Sequence, residues 1–313
     1  MEIQIISGFL GTGKTTFLNQ YLPMLSGLTA VVENEFGEVG IDGALLEGEI
    51  PVKELSAGCI CCTLAVDLQE GIVEIANKYK PDRILIEPSG IGKLSDVIAA
   101  CEKAKDKIGI EITKRIVLVD ACDCKGFIED FGQFYSNQIE YADIIFLSNV
   151  VDATPEEMTE AKEIICNLNS DAVIYEGDFR ELDREELTAL LEMTETIDAP
   201  VLKSANDEEV MLEPAGQVFS NLVLEESFPM TETEIQELLK GFKNLDFGYV
   251  LRAKGIIPAT EGGHWHFDYT ASKQSYEKFG AEDAAVNRVI VIGNKLNKRT
   301  LKEYIYSFGD EDI

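Results

Sequence analysis

The sequence predicts an α/β protein in which a parallel sheet with helices on both faces is followed by a smaller α+β domain. Three observations lead there. Short apolar runs alternate with helical stretches from Met1 to about Glu195, a glycine-rich loop follows the first of these runs, and the pattern changes after Ala199-Pro200. Alternation of this kind implies right-handed crossovers and a ligand crevice at the carboxyl ends of the strands.

The first strand, Glu2–Ser7, feeds Gly8-Phe9-Leu10-Gly11-Thr12-Gly13-Lys14-Thr15, two glycines with four positions between them, then Lys and Thr. Thr16 to Leu25 continues as a helical run. Strand, loop and helix in that order let backbone N–H groups and a helix N-terminus converge on anionic oxygens, which is the phosphate-binding loop of P-loop NTPase sheets. Gly8, Gly11, Thr12, Gly13, Lys14, Thr15 and Thr16 are therefore the candidate phosphate-binding residues. Lys14 reaches the terminal phosphates, and the Thr15 hydroxyl suits Mg²⁺, a hard cation that takes one or two protein oxygens and keeps several waters. The ligand class is a nucleoside triphosphate.

Further strands are expected at Leu28–Glu33, Arg83–Glu87, Arg115–Asp120, Ile144–Ser148 and Ala172–Tyr175. Glu87-Pro88-Ser89-Gly90 closes the third of these six strands, so Glu87 is positioned to hold Mg²⁺ directly or through water. Asn149-Val150-Val151-Asp152 follows the strand at Ile144–Ser148. In GTP-binding proteins an Asn-Lys-x-Asp motif sits there, its Asp accepting two hydrogen bonds from the guanine edge; adenine lacks that donor pair and leaves the carboxylate unpaired. Asn149 and Asp152 are the candidate base-binding residues, and Val150 stands where the motif carries Lys.

The first domain is expected over residues 1–200, a linker over 201–216 with the acidic stretch Asn206 to Glu213 in it, and the α+β domain over 217–313. The second domain offers a strand at Val218–Leu224, a helix near Thr231–Phe242, strands near Tyr249–Ile257, His264–Tyr269 and Arg288–Ile292, and a closing helix from Lys298 to Tyr306.

With 313 residues and 45% hydrophobic content, the chain buries a substantial core. It has 27 Lys plus Arg against 57 Asp plus Glu, a formal charge of −30 that repels nucleic acid and anionic membrane surfaces. It carries no run resembling a membrane span, and the apolar N-terminus runs straight into the glycine loop, unlike a signal peptide, so a cytoplasmic protein is expected. Self-association is left open.

Seven cysteines, an odd number with three in Cys59-Ile60-Cys61-Cys62, do not make a disulfide framework in a chain of this size. Three thiolates within four residues close on one soft or borderline cation, given a fourth ligand from water, a carboxylate or a partner. Cys59, Cys61 and Cys62 are the candidate metal ligands. A second pair, Cys122 and Cys124, reads first as buried structural thiols and second as an acceptor for that metal. His264, His266 and Asp268 share one face of a strand, either as plain surface or as a second metal site.

Taken together, Gly8 to Thr16, Glu33-Asn34-Glu35-Phe36-Gly37 followed by Gly40-Ile41-Asp42, the cysteine cluster, Glu87 to Gly90, and Asn149 with Asp152 resemble the CobW-type metallochaperone GTPases, relatives of UreG and HypB. The resemblance spans the first domain in order. It is weaker in the second, through Leu251 to Gly255 and Arg288 to Gly293. It implies GTP with Mg²⁺ and a transition metal at the cysteines, zinc first and cobalt or nickel next. It also implies slow hydrolysis coupled to delivery of that metal to a client metalloprotein or cofactor pathway. Lys14, Glu87 and Glu35, the last as a carboxylate that orients water, are then the catalytic candidates. A P-loop ATPase or kinase with structural cysteines, and a thiol or metal sensor switched by nucleotide, are the alternatives.

Overall fold

The computed structural model describes residues 1–35, 52–56, 64–194, 219–225, 227–270, 273–279 and 287–308, with backbone only at 34, 35, 52–56 and 64–66. The chain divides into two compact units, Met1–Leu212 and Glu213–Ile313. The stretch expected as a linker, 201–216, lies outside the described residues.

The first unit is built on seven strands: β1 Glu2–Gly8, β2 Thr29–Glu35, β3 Val52–Ser56, β4 Arg83–Glu87, β5 Glu111–Asp120, β6 Ile144–Ser148 and β7 Val173–Tyr175. Their order across the sheet is β3-β2-β4-β1-β5-β6-β7, and every pairing is parallel. The helices between them are α1 Lys14–Tyr21, α2 Leu64–Tyr79, α3 Leu94–Ile108, α4 Cys124–Phe131, α5 Gln133–Glu140, α6 Pro155–Leu168 and α7 Arg184–Glu192.

Central strands are apolar along their whole length because helices cover both faces of a parallel sheet. Ile84, Leu85 and Ile86 of β4 and Ile144 to Leu147 of β6 are fully buried. On one side of the sheet Phe17 and Tyr21 of α1 pack with Phe146 and Phe179. Helix starts follow their sequence signals: Thr154 with Glu157 and Asp183 with Glu186 form capping boxes at α6 and α7, each satisfying donors that the first turn leaves orphaned.

The chain runs from β1 outward to β2 and β3, returns to place β4 beside β1, and then crosses to β5 on the other flank. A crevice opens where the winding reverses, at the carboxyl end of β1. A buried ion pair pins this flank: Arg115 of β5 donates through its backbone N (2.7 Å) and Nε (3.1 Å) to Asp143 Oδ2, and its NH2 meets Oδ1.

In the second unit β8 Phe219–Leu224, β9 Tyr249–Pro258, β10 His264–Thr270, β11 Gln274–Phe279 and β12 Arg288–Asn294 form an antiparallel sheet of order β11-β10-β9-β12-β8. Helices α8 Glu232–Gly241 and α9 Lys298–Tyr306 supply Leu238, Leu239, Leu301 and Ile305 to a core shared with Phe267, Val289 and Val291.

Two strands differ from the sequence expectation. β3, Val-Lys-Glu-Leu-Ser, is a short edge strand whose charged residues hide its period, and β11 alternates almost entirely between exposed positions, so neither presents an apolar run. Among the described residues no helix is long and apolar enough to cross a membrane.

Replacing Arg115 with Leu leaves the Asp143 charge buried without its guanidinium. The loss expected in urea unfolding is about 3–5 kcal/mol, and Arg115→Leu with Asp143→Leu together recovers most of it.

Candidate nucleotide site

β1 ends at Gly8, and the loop Phe9 to Gly13 turns directly into α1. The turn needs glycine where the backbone is left-handed: Gly13, the residue before the helix, has φ 90° and ψ 23°. Thr12 Oγ1 and Lys14 Nζ both donate to the carbonyl of Phe9, at 2.9 and 3.1 Å. Phe9 is itself clamped from below, its ring 4.9 Å from those of Phe127 and Phe131 and 5.5 Å from Tyr135. The loop is thus tied to α4 and α5 by an aromatic anchor the sequence reading did not single out.

At the ends of β4 and β2 lie two carboxylates, Glu87 (6% exposed) and Glu33 (3% exposed), which pair in register. Thr15 Oγ1 donates to Glu87 Oε1 at 3.0 Å. A hydroxyl and a carboxylate oxygen in contact under a phosphate loop are the hard donor set that Mg²⁺ takes, so these two residues fit that ion. Lys14 is buried as well, at 4% exposed.

Beyond Glu87 the chain passes so close to the loop that a Cβ at Gly90 would stand 2.8 Å from Leu10 N and 3.0 Å from Lys14 Nζ. Gln138 of α5 holds this approach, donating from Nε2 to the carbonyls of Gly90 (3.1 Å) and Gly92 (3.0 Å). Nothing in the local sequence marks Gln138; its place is set by how α5 packs.

The base-binding candidates lie on the other flank. Asn149, just past β6, has a left-handed φ of 55°, and its carbonyl accepts from Asp152 N (3.0 Å) and Ala153 N (3.1 Å), which shapes the turn carrying Asp152. Asp152 is exposed and Val151 is 73% exposed. Asn149 Nδ2 donates to Asp120 Oδ2 at 2.6 Å, and Cys122 N donates to Asp120 Oδ1 at 2.9 Å. Asp120 ends β5 as Glu87 ends β4, and the reasoning that selected Glu87 selects it equally.

Burial, with the Asp123 carboxylate adding to it, pushes Asp120 up to about 6 against the opposing hydrogen bonds from Asn149 and the backbone of Cys122 and Asp123. The distance from its ordinary 3.8 corresponds to roughly 3 kcal/mol charged against the ionised form. Perturbed carboxylates of this kind gather at functional sites.

Thr16 begins the exposed side of α1, and Gly8, Gly11, Thr12 and Gly13 form the loop as expected. Glu35 ends β2 in register with Ser56 of β3, its side chain outside the described residues. Cys59, Cys61 and Cys62, and the segment Phe36 to Asp42, also lie outside the described residues.

Cys122 is half-buried and Cys124 fully buried; burial first, with neighbouring carboxylates adding to it, pushes both thiols up to about 11, in Cys124 against an opposing hydrogen bond with Tyr135. Among the described residues no group of three or more His, Cys, Asp or Glu is arranged to hold a metal. Asp268 accepts from Arg252 (3.2 Å), His266 Nδ1 faces Glu277 (3.4 Å) and the His264 ring stacks on Phe279 (5.8 Å), so each of the three meets a residue of a neighbouring strand.

A glycine loop between a central parallel strand and a helix, with a hydroxyl–carboxylate pair beneath it, defines a P-loop nucleotide-binding fold. The family model described as CobW/HypB/UreG, nucleotide-binding domain, matches residues 2–176, and the chain belongs to that family. It is 34% identical over 155 residues to the zinc chaperone YeiR of Escherichia coli K12, covering 49% of this chain and 47% of that protein. It is 30% identical to zinc-regulated GTPase metalloprotein activator 1 of Dictyostelium discoideum, covering 55% and 44%. With the zinc chaperone YjiA of E. coli K12 the identity is 26%, over 82% of this chain and 81% of the other. The chain thus spans about half the length of the first two relatives.

Two outcomes are expected. Gly90→Ala pushes Leu10, and the phosphate loop with it, away from the β4 end and lowers triphosphate affinity at least about tenfold, read by calorimetry. For Asp120 the folded state holds the higher pKa, so its cost is fully present above about pH 6 and is relieved as pH falls from there toward 3.8. Unfolding of nucleotide-free protein between pH 7 and 4.5 should gain stability relative to Asp120→Asn over that window.

Proposed function

We propose that this protein binds and slowly hydrolyses GTP with Mg²⁺ and couples that cycle to carrying a transition metal on Cys59, Cys61 and Cys62 to a client metalloprotein or cofactor pathway. Zinc is the first cargo to consider, since the relatives are named zinc chaperones and a zinc-regulated GTPase metalloprotein activator. Cobalt and nickel suit thiolate ligands as well.

The observation that carries this reading is the order of the sheet. β3 ends at Ser56, three residues before Cys59, and lies beside β2 and then β4, whose ends hold Glu33 and Glu87. Strands about 4.8 Å apart put the start of the cysteine segment roughly 14 Å from the phosphate-loop strand. The segment between β2 and β3, with Glu38 in it, leaves the end of β2 and returns to the start of β3, and β3 then carries the chain back toward the cysteines, so the stretch that answers the terminal phosphate leads on to the metal.

In this reading the loop glycines with Thr12 and Thr16 cradle the phosphates, and Lys14 supplies a positive charge to them. Thr15 and Glu87 would hold Mg²⁺, which would supply positive charge against the phosphates. Glu35 is the candidate to orient the attacking water. Phosphoryl transfer needs positioning and neutralised charge more than covalent chemistry, and these groups supply both. Asn149 and Asp152 select guanine.

Lys14→Ala should abolish triphosphate binding and leave the fold intact. GTP should bind at least about tenfold more tightly than ATP, about 1.4 kcal/mol, in calorimetry; equal affinities would remove guanine from the assignment. Co²⁺ should give thiolate absorption with one ion per chain, lost in the triple Cys→Ser variant at positions 59, 61 and 62. A triple variant that binds Co²⁺ as well as the parent chain excludes the cluster as the carrier site.

A further inference from the structure

We infer that Asp120 is the positioning residue that fixes the orientation of the Asn149 amide, and that the preference for guanine depends on it. The inference rests on the base-site reading above and names a residue outside the Asn-Val-Val-Asp motif.

The register of β5 and β6 pairs Asp120 with Ser148, so Asn149 is the next residue beyond that pair and its side chain meets the Asp120 carboxylate. An amide offers two donors on one side and an acceptor on the other, and either can face a neutral partner. An ionised carboxylate only accepts. Asp120 Oδ2 at 2.6 Å therefore obliges Asn149 to present Nδ2 inward, with its second N–H still available to a purine acceptor. The other carboxylate oxygen is held by Cys122 N at 2.9 Å, so the group cannot swing away.

The backbone completes the arrangement. Asn149 adopts a left-handed φ of 55°, and its carbonyl accepts from Asp152 N and Ala153 N. One residue thus carries both the amide that Asp120 orients and the turn that presents Asp152. Val150 supplies no long stem to pack along a base, so the direction of each hydrogen bond counts for more. At the six position guanine bears a carbonyl and adenine an amino group. A correctly held N–H suits the first, whereas a flipped amide offers its oxygen to the second. Removing the charge at Asp120 lets both orientations form, and discrimination falls.

The test is a double-mutant cycle on the full chain at pH 7.5. Affinities for GTP and ATP are measured by calorimetry for the parent, Asp120→Asn, Asn149→Ala and the double variant, with tripolyphosphate as a probe of the phosphate loop alone. Asp120→Asn should lower the GTP-to-ATP ratio about tenfold and leave tripolyphosphate affinity unchanged, and in the Asn149→Ala background it should change the ratio no further. A ratio kept at the parent value overturns the inference, and so does an equal fall in both backgrounds, which marks a structural effect independent of Asn149. A parent ratio near one overturns the guanine assignment itself and this inference with it. Asp120→Ser, smaller and neutral, repeats the cycle should Asp120→Asn not fold.

Discussion

All seven strands of the first sheet point the same way, and that constraint governs everything at the site. In a parallel sheet each return crossover carries the chain back to the same starting edge, so every strand delivers its last residue to the opposite one. Gly8, Glu33, Glu87, Asp120 and Ser148 are each at or near such an end, contributed by β1, β2, β4, β5 and β6. Residues scattered over more than a hundred positions become neighbours without any long-range device beyond the sheet itself. The strand order then sorts them: Glu33 and Glu87 on one side of the loop, Asp120 and Ser148 on the other.

This edge is also where the fold is least apolar. Lys14, Glu33, Glu87, Asp120 and Gln138 are all buried, and burying charge is unfavourable unless it is hydrogen-bonded or paired. The strands behind them are aliphatic and closed on both faces, and the other buried charges named here, Arg115 and Asp143, neutralise each other at the opposite edge. Gln138 and Phe9 work at the boundary between the two regimes. One ties Gly90 and Gly92 to α5, and the other ties the phosphate loop to α4 and α5, so that α5 touches both segments facing the crevice.

Most of this was readable before any coordinates because the signals are local. A glycine loop after an apolar strand and an acidic residue at a strand end each state their geometry within a few residues. What escaped depends on residues far apart. β3 and β11 lie at sheet edges, where one face and one row of backbone groups need no apolar partner, and their sequences are correspondingly polar. Gln138 acts across 46 to 48 residues of sequence, and no spacing rule encodes that contact. Asp120 was in plain view as the last residue of a predicted strand. It passed unnoticed because only its partner, Asn149, belongs to a known pattern.

The raised thiols of Cys122 and Cys124 bear on how readily these two of the seven cysteines would meet a soft cation. A thiol must lose its proton before it binds such an ion. With both pushed up to about 11, they stay protonated at neutral pH when no such ion is present. Burial first, and the acidic residues around the base loop after it, hold these sulfurs in the protonated form, so the residues that shape the turn also quieten the thiols beside it.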